Sequence, residues 1–86
     1  MDRLLIRGEP TSPFQYLYIF QNNQMISSFG IEFENLVEVV FDVLLKYNIS
    51  AIDLSGVHSY LEGIKEQINT ANITHYNLKE ITFRYV

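Results

Sequence analysis

The 86 residues contain no cysteine and no tryptophan, only two prolines and four glycines, six basic side chains, and no apolar run approaching 18 residues. Without cysteine, neither a disulfide nor a thiolate metal site supplements the core. Packing quality and self-association are then the remaining sources of stability for so short a chain. Ten acids against three lysines and three arginines give a net charge of −4, and no basic stretch is long enough to neutralise several phosphates, so nucleic acid is not an expected partner. The lack of a long apolar run argues against a spanning helix. The amino terminus, Met1-Asp2-Arg3-Leu4-Leu5-Ile6-Arg7, is interrupted by charge too soon to read as a secretory signal. The expectation is a soluble cytoplasmic protein without membrane contact. The patterns Asn48-Ile49-Ser50 and Asn72-Ile73-Thr74 are then turn residues and not glycan acceptors.

What is present is 48% apolar and 14% aromatic, the profile of one folded domain over residues 1–86. Residues 4–7 form a short apolar strand, closed by Gly8-Glu9-Pro10-Thr11-Ser12-Pro13, where two prolines and a glycine interrupt regular structure. Residues 14–21 are rich in aromatic and β-branched types and read as a strand; residues 24–33 read as its antiparallel partner across Asn22-Asn23. Asparagine tolerates positive φ, which suits a two-residue hairpin turn.

From Asn35 the period changes. Leu36, Val37, Val39, Val40, Phe41, Val43, Leu44, Leu45 and Tyr47 leave Glu38, Asp42 and Lys46 as a narrow polar stripe, the pattern of a helix with Asn35 as cap. Residues 51–54 read as a strand ending at Ser55-Gly56. A second helix is expected from Ser59, where Ser59 and Glu62 have capping-box spacing, with Tyr60, Leu61, Ile64, Ile68 and Ala71 as its apolar face. Gly63 inside that helix suggests a close backbone approach by another element. Residues 72–77 read as a turn region and residues 80–86 as a final strand.

Three strands, a helix, a strand, a helix and a strand join a meander to two right-handed crossovers. The simplest outcome is an α/β fold with a five-stranded mixed sheet, order 3-2-1-4-5, and both helices on one face. This element order resembles the ribonuclease H-like superfamily over nearly the whole chain. The resemblance implies an acid in the first strand and another at the end of the fourth, holding Mg²⁺ between them. Asp53 in Ala51-Ile52-Asp53-Leu54 fits the second place, whereas the first strand offers only Arg3 and Arg7 around Leu4-Leu5-Ile6, so the metal set is incomplete.

The carboxyl ends of the parallel strands define a rim on which Glu9, Glu32, Glu34, Asp53 and Arg84 can converge. The four acids are the candidate donors for a divalent cation; the plainer reading of Glu32 and Glu34 is favourable charge ahead of a helix amino terminus. Ser55, Gly56 and His58 precede the second helix and form a candidate anion site, against the simpler reading of a turn. His58 with Ser55, Ser59 and Asp53 falls in one short segment, which does not make a hydrolytic triad, and His58 and His75 alone cannot build a zinc site.

Alternation places Phe14, Tyr16, Tyr18 and Phe20 on one face of the second strand and Gln15, Leu17, Ile19 and Gln21 on the other. If the aromatic row faces the helices it is core; if it faces away from them it is a platform for a partner or for stacked bases, the latter weakened by the acidic balance. The first helix poses the same question, because one sheet face covers only one side of it. The expectation is a small non-catalytic interaction or assembly domain without a cofactor. It forms a homodimer or small oligomer, with Leu36, Val37, Val40, Phe41 and Leu44 as first-choice interface and Tyr16 and Tyr18 as second. Its small size and missing catalytic set suggest an accessory protein of a phage or other mobile element. The alternatives are a metal-dependent nuclease-like enzyme and an acidic inhibitor of a basic partner.

Overall fold

A computed structural model describes residues 2–86. Among them the chain runs β1 (Arg3–Gly8), β2 (Phe14–Gln21), β3 (Gln24–Glu32), a 3₁₀ turn (Phe33–Asn35), α1 (Leu36–Tyr47), β4 (Ala51–Gly56), α2 (His58–Ala71), a π-helical turn (Asn72–Tyr76) and β5 (Thr82–Tyr85). The strands form one sheet of order β3-β2-β1-β4-β5. β2 is antiparallel to both neighbours, and β1, β4 and β5 run parallel. This is the mixed α/β topology that the element order implies.

Local chemistry sets the connections. Asn22 and Asn23 hold φ of 53° and 64°, so both turn residues are left-handed, as the two-residue hairpin requires. α1 ends at Asn48, φ 54°, in the left-handed cap that asparagine tolerates, with its N–H donated to the Leu44 carbonyl. Gly56 at φ 138° pairs across the parallel ladder with Gly8, a backbone conformation reserved in practice for glycine.

Both helices lie on one face. Leu4 and Ile6 of β1, Leu17 and Ile19 of β2, and Ile52 and Leu54 of β4 point toward them. They pack in a single core with α1 residues Leu36, Val40, Phe41, Val43 and Leu44 and α2 residues Leu61, Ile64 and Ile68. Gln15, on the same face of β2, is fully buried and satisfied locally. Its amide donates to the carbonyls of Glu9 and Ser12, and its oxygen accepts from the Glu9 N–H at 2.7 Å. It thereby fastens the proline-containing loop to the sheet. No helix among the described residues is long and apolar enough to cross a membrane.

Several expectations are corrected. Asn35 does not cap α1 with its side chain: the chain enters α1 from the 3₁₀ turn, so Asn35 has near-helical backbone (φ −102°, ψ −2°), where capping calls for an extended residue. α2 starts one residue earlier than expected, at His58 with Val57 ahead of it, which puts Ser59 inside the first turn; no side-chain cap bond is formed. No element approaches Gly63: a β-carbon there would meet nothing within 4 Å. The final strand is shorter than residues 80–86, because β5 pairs only along the length of β4. Residues 72–77 hold a π-helical turn closed by left-handed Asn77, and the Asn72 amide bonds both the N–H and the carbonyl of Leu78.

Candidate functional site

Since Gln15, Leu17 and Ile19 are buried against the helices, strand alternation turns Phe14, Tyr16, Tyr18 and Phe20 to the opposite, uncovered face of the sheet. Phe14 is 43% exposed and Tyr16 39%. Register fixes their neighbours: Tyr16 lies opposite Arg7, Tyr18 opposite Leu5 and Phe20 opposite Arg3 on β1. On β4, Asp53 lies beside Leu5 and, on its other side, beside Arg84 of β5. All three arginines of the chain therefore stand on the open face, while the three lysines lie elsewhere.

Asp53 is only 5% exposed, and its carboxylate is shared between two guanidiniums. Arg84 binds it in bidentate fashion, Nε to Oδ1 at 3.1 Å and Nη2 to Oδ2 at 2.9 Å. Arg3 Nε lies 3.1 Å from Oδ2. Hydrogen bonding to Asp53, and then its charge, raises the Arg84 pKa above the ordinary arginine value, so this contact is ionic wherever the carboxylate is ionised. Arg3 is fixed from two further sides: its Nη1 donates to Asn23 Oδ1 at 3.1 Å, and its guanidinium carbon sits 4.1 Å from the Phe20 ring centroid. Tyr16 lies against Gly30 of β3 and fills the space a side chain would otherwise take. Met25 of β3 lies opposite Phe20, so the face combines aromatic rings, methionine and arginine without lysine, the composition that distinguishes the centres of protein interfaces from ordinary surface.

The acids proposed for a cation do not converge. Glu9 pairs with Arg7 at 3.5 Å, and Glu32 and Glu34 are exposed at the end of β3 and in the 3₁₀ turn. Among the described residues no group of three His, Cys, Asp or Glu side chains can hold a metal ion. Asp53, the acid in the fourth-strand place, already has both oxygens bonded to arginine, so a divalent cation there would have to displace both guanidiniums. The Ser55-Gly56-His58 segment is committed elsewhere: Gly56 pairs with Gly8, and the exposed His58 ring turns to Glu62 at 3.3 Å and packs against Tyr85.

The first-choice interface is also corrected. Leu36, Val40, Phe41 and Leu44 are buried within the single chain, and Val37 is partly buried. The flank of α1 that carries Phe41 is covered by the connection from α2 to β5, while Leu45 on the outer side stays 56% exposed. Tyr76 of the π-helical turn stacks on Phe41, ring centroids 3.9 Å apart and planes within 3°, and Leu78 and Ile81 pack on the same core. Tyr16 and Tyr18, the second choice, stand on the open face. The pairing of Asp53 with Arg3 and Arg84 was not deducible before the register was known; the available signal was that all three share the outward phase of their strands.

No family model matches the chain, and no curated protein or solved structure matches it significantly. No neighbour therefore supports the ribonuclease H-like resemblance.

Proposed function

We propose that this chain is a small non-catalytic domain, acting in the cytoplasm, that works through protein contacts and self-associates on the β2–β3 side of its sheet. The observation that carries the reading is the uncovered aromatic row of β2, Phe14, Tyr16, Tyr18 and Phe20, flanked by Arg3 and Arg7 on a face to which neither helix contributes. Exposed aromatic residues in one row are costly to leave in water, which favours a protein partner on this face, and an 86-residue chain without cross-links gains from the further burial that association of two copies supplies beside it. The neutralisation of Asp53 by two arginines, and the scatter of Glu9, Glu32 and Glu34, favour this reading over a metal-dependent nuclease.

Light scattering across a size-exclusion peak tests the self-association. The expected mass at micromolar concentration is about twice the 10.1 kDa of one chain, and a one-chain mass overturns it. Titration with Mg²⁺ or Mn²⁺ tests the absence of metal chemistry. The melting temperature is expected to stay constant, whereas a rise that saturates with metal would return the nuclease reading.

A further inference from the structure

β3 is one edge of the sheet, so alternate backbone N–H and C=O groups along it face away from β2 with no strand to receive them. Natural sheets protect such edges by making them short, by placing charge, proline or a bulge on them, or by covering them. The opposite edge follows this rule, since β5 has four residues and carries Arg84. β3 follows it only at its hairpin end, where its bulge lies. It has nine residues, and residues 24–31 include neither a charge nor a proline. Met25 and Ile26 are exposed there at 55% and 44%. The bulge opposite Ile19 and Phe20 lies near the hairpin end, which leaves the stretch from Ser27 to Glu32 in regular register with β2.

We propose that two copies of this chain join through their β3 edges, antiparallel across a two-fold axis, so that the two sheets become one of ten strands. The inference rests on the self-association proposed above and names its surface. An antiparallel strand is complementary to itself under a two-fold operator, so the same uncharged residues serve both copies and close the assembly at two. Overlap along the regular uncharged stretch 27–31 supplies about five backbone hydrogen bonds.

Charge decides between this geometry and face-to-face packing of the open sheets. Each copy carries a net charge of −4, so a like-charged partner is best received where charge is missing, as it is along residues 24–31. Face-to-face packing would instead enclose the exposed guanidiniums of Arg7 and Arg84 between two copies of the same face. Edge pairing has a further consequence: a two-fold axis perpendicular to the sheet keeps both aromatic rows on the same side. The joined sheet then presents Phe14, Tyr16, Tyr18 and Phe20 twice on one surface, open to another protein.

The test compares Ile26→Lys/Ser27→Lys, which charges the edge away from the Tyr18 row because Ser27 lies opposite Ile19 and not opposite Tyr18, with Tyr18→Glu, which charges the open face. Mass is read by light scattering, and folding is monitored by circular dichroism. The wild-type protein and Tyr18→Glu are expected at twice the chain mass, and the edge variant at the chain mass with an unchanged helix signal. Hydrogen exchange supplies an independent readout: alternate β3 amides that would point to water in a single copy exchange slowly in the wild-type dimer. A dimer that survives the two lysines but dissociates with Tyr18→Glu overturns the edge inference while self-association stands. A wild-type protein with the mass of one chain overturns both.

Discussion

Two glycines in similar sequence settings should respond to the same substitution with opposite signs. Gly63 is mid-helix in α2, has ordinary helical backbone, and its missing β-carbon would meet nothing within 4 Å. Alanine there loses no packing and removes backbone freedom from the unfolded chain, which is worth about 0.5 to 1 kcal/mol. In a domain of this size 1 kcal/mol moves the midpoint by about 4 to 8 °C, so Gly63→Ala should raise the melting temperature by about 2 to 8 °C. Gly56 has φ 138°, and a β-carbon there would press on the Gly8 carbonyl oxygen across the β1–β4 ladder. The backbone conformation alone penalises a side chain by about 1 to 3 kcal/mol, and the clash adds to it, so Gly56→Ala should lower the midpoint by more than Gly63→Ala raises it. Thermal melts followed by circular dichroism at matched protein concentration read both. A fall for Gly63→Ala would show that the groove beside Val37, Gln67 and Ala71 is filled in solution, and the reasoning from open space would fail.

Val40 is fully buried, so Val40→Glu should abolish cooperative unfolding outright; a folded variant that merely dissociates would restore α1 as an interface. Gln15→Leu leaves the Glu9 N–H without its side-chain acceptor and should cost about 1 to 3 kcal/mol by urea titration, with a change below 0.5 kcal/mol contradicting the fastening role. Asp53→Asn should lower the melting temperature, because both guanidiniums lose their counter-charge, and added salt should narrow the difference from wild type; an unchanged midpoint at low salt would sink this account. Burial raises the Tyr60 pKa above the ordinary tyrosine value of 10.0 against the opposing effect of its hydrogen bond to Gln15, so the fold favours the neutral phenol. Its contribution is fully present below pH 10.0 and is lost as pH rises through the higher folded value. Alkaline difference spectroscopy of Tyr60→Phe against wild type should therefore remove a late-titrating phenol.

The topology was legible because each element announced its own period. Asn22-Asn23 between two apolar runs specified a hairpin, and the stripe Glu38-Asp42-Lys46 specified a helix, while the handedness of crossovers did the rest. The caps were less legible, since capping depends on the backbone that precedes a helix. Ser59 and Glu62 have the right spacing, but the helix already begins at His58, and nothing in the spacing reports that. The site was half legible. Alternation sorted the aromatic row of β2 onto one face, but which face carried the helices depended on the phase of β1 and β4. Asp53 looked like a metal ligand because strand position alone does not show that Arg3 and Arg84 arrive in the same row from both sides.

The first helix shows how a sound inference from composition can select the wrong surface. Its apolar circumference does exceed what one sheet face covers, so something else must pack on Phe41. That cover comes from the chain itself, through a segment that reads as a plain turn. Asn72 fixes Leu78 with two backbone bonds, and the π-helical turn this closes places the Tyr76 ring flat on Phe41. Leu78 and Ile81 then pack on the core as the chain returns to β5. The demand for extra burial around Phe41 is therefore met within one copy, although Leu45 on the outer side of α1 stays 56% exposed. Among the described residues, the other side of the sheet across β2 stays uncovered. The uncharged β3 edge lies beside that aromatic row, so both unmet requirements, apolar cover and backbone pairing, fall on the same end of the molecule. That coincidence makes the β2–β3 side the place to look for a contact, ahead of α1, whose Leu36, Val40, Phe41 and Leu44 are already buried within one copy.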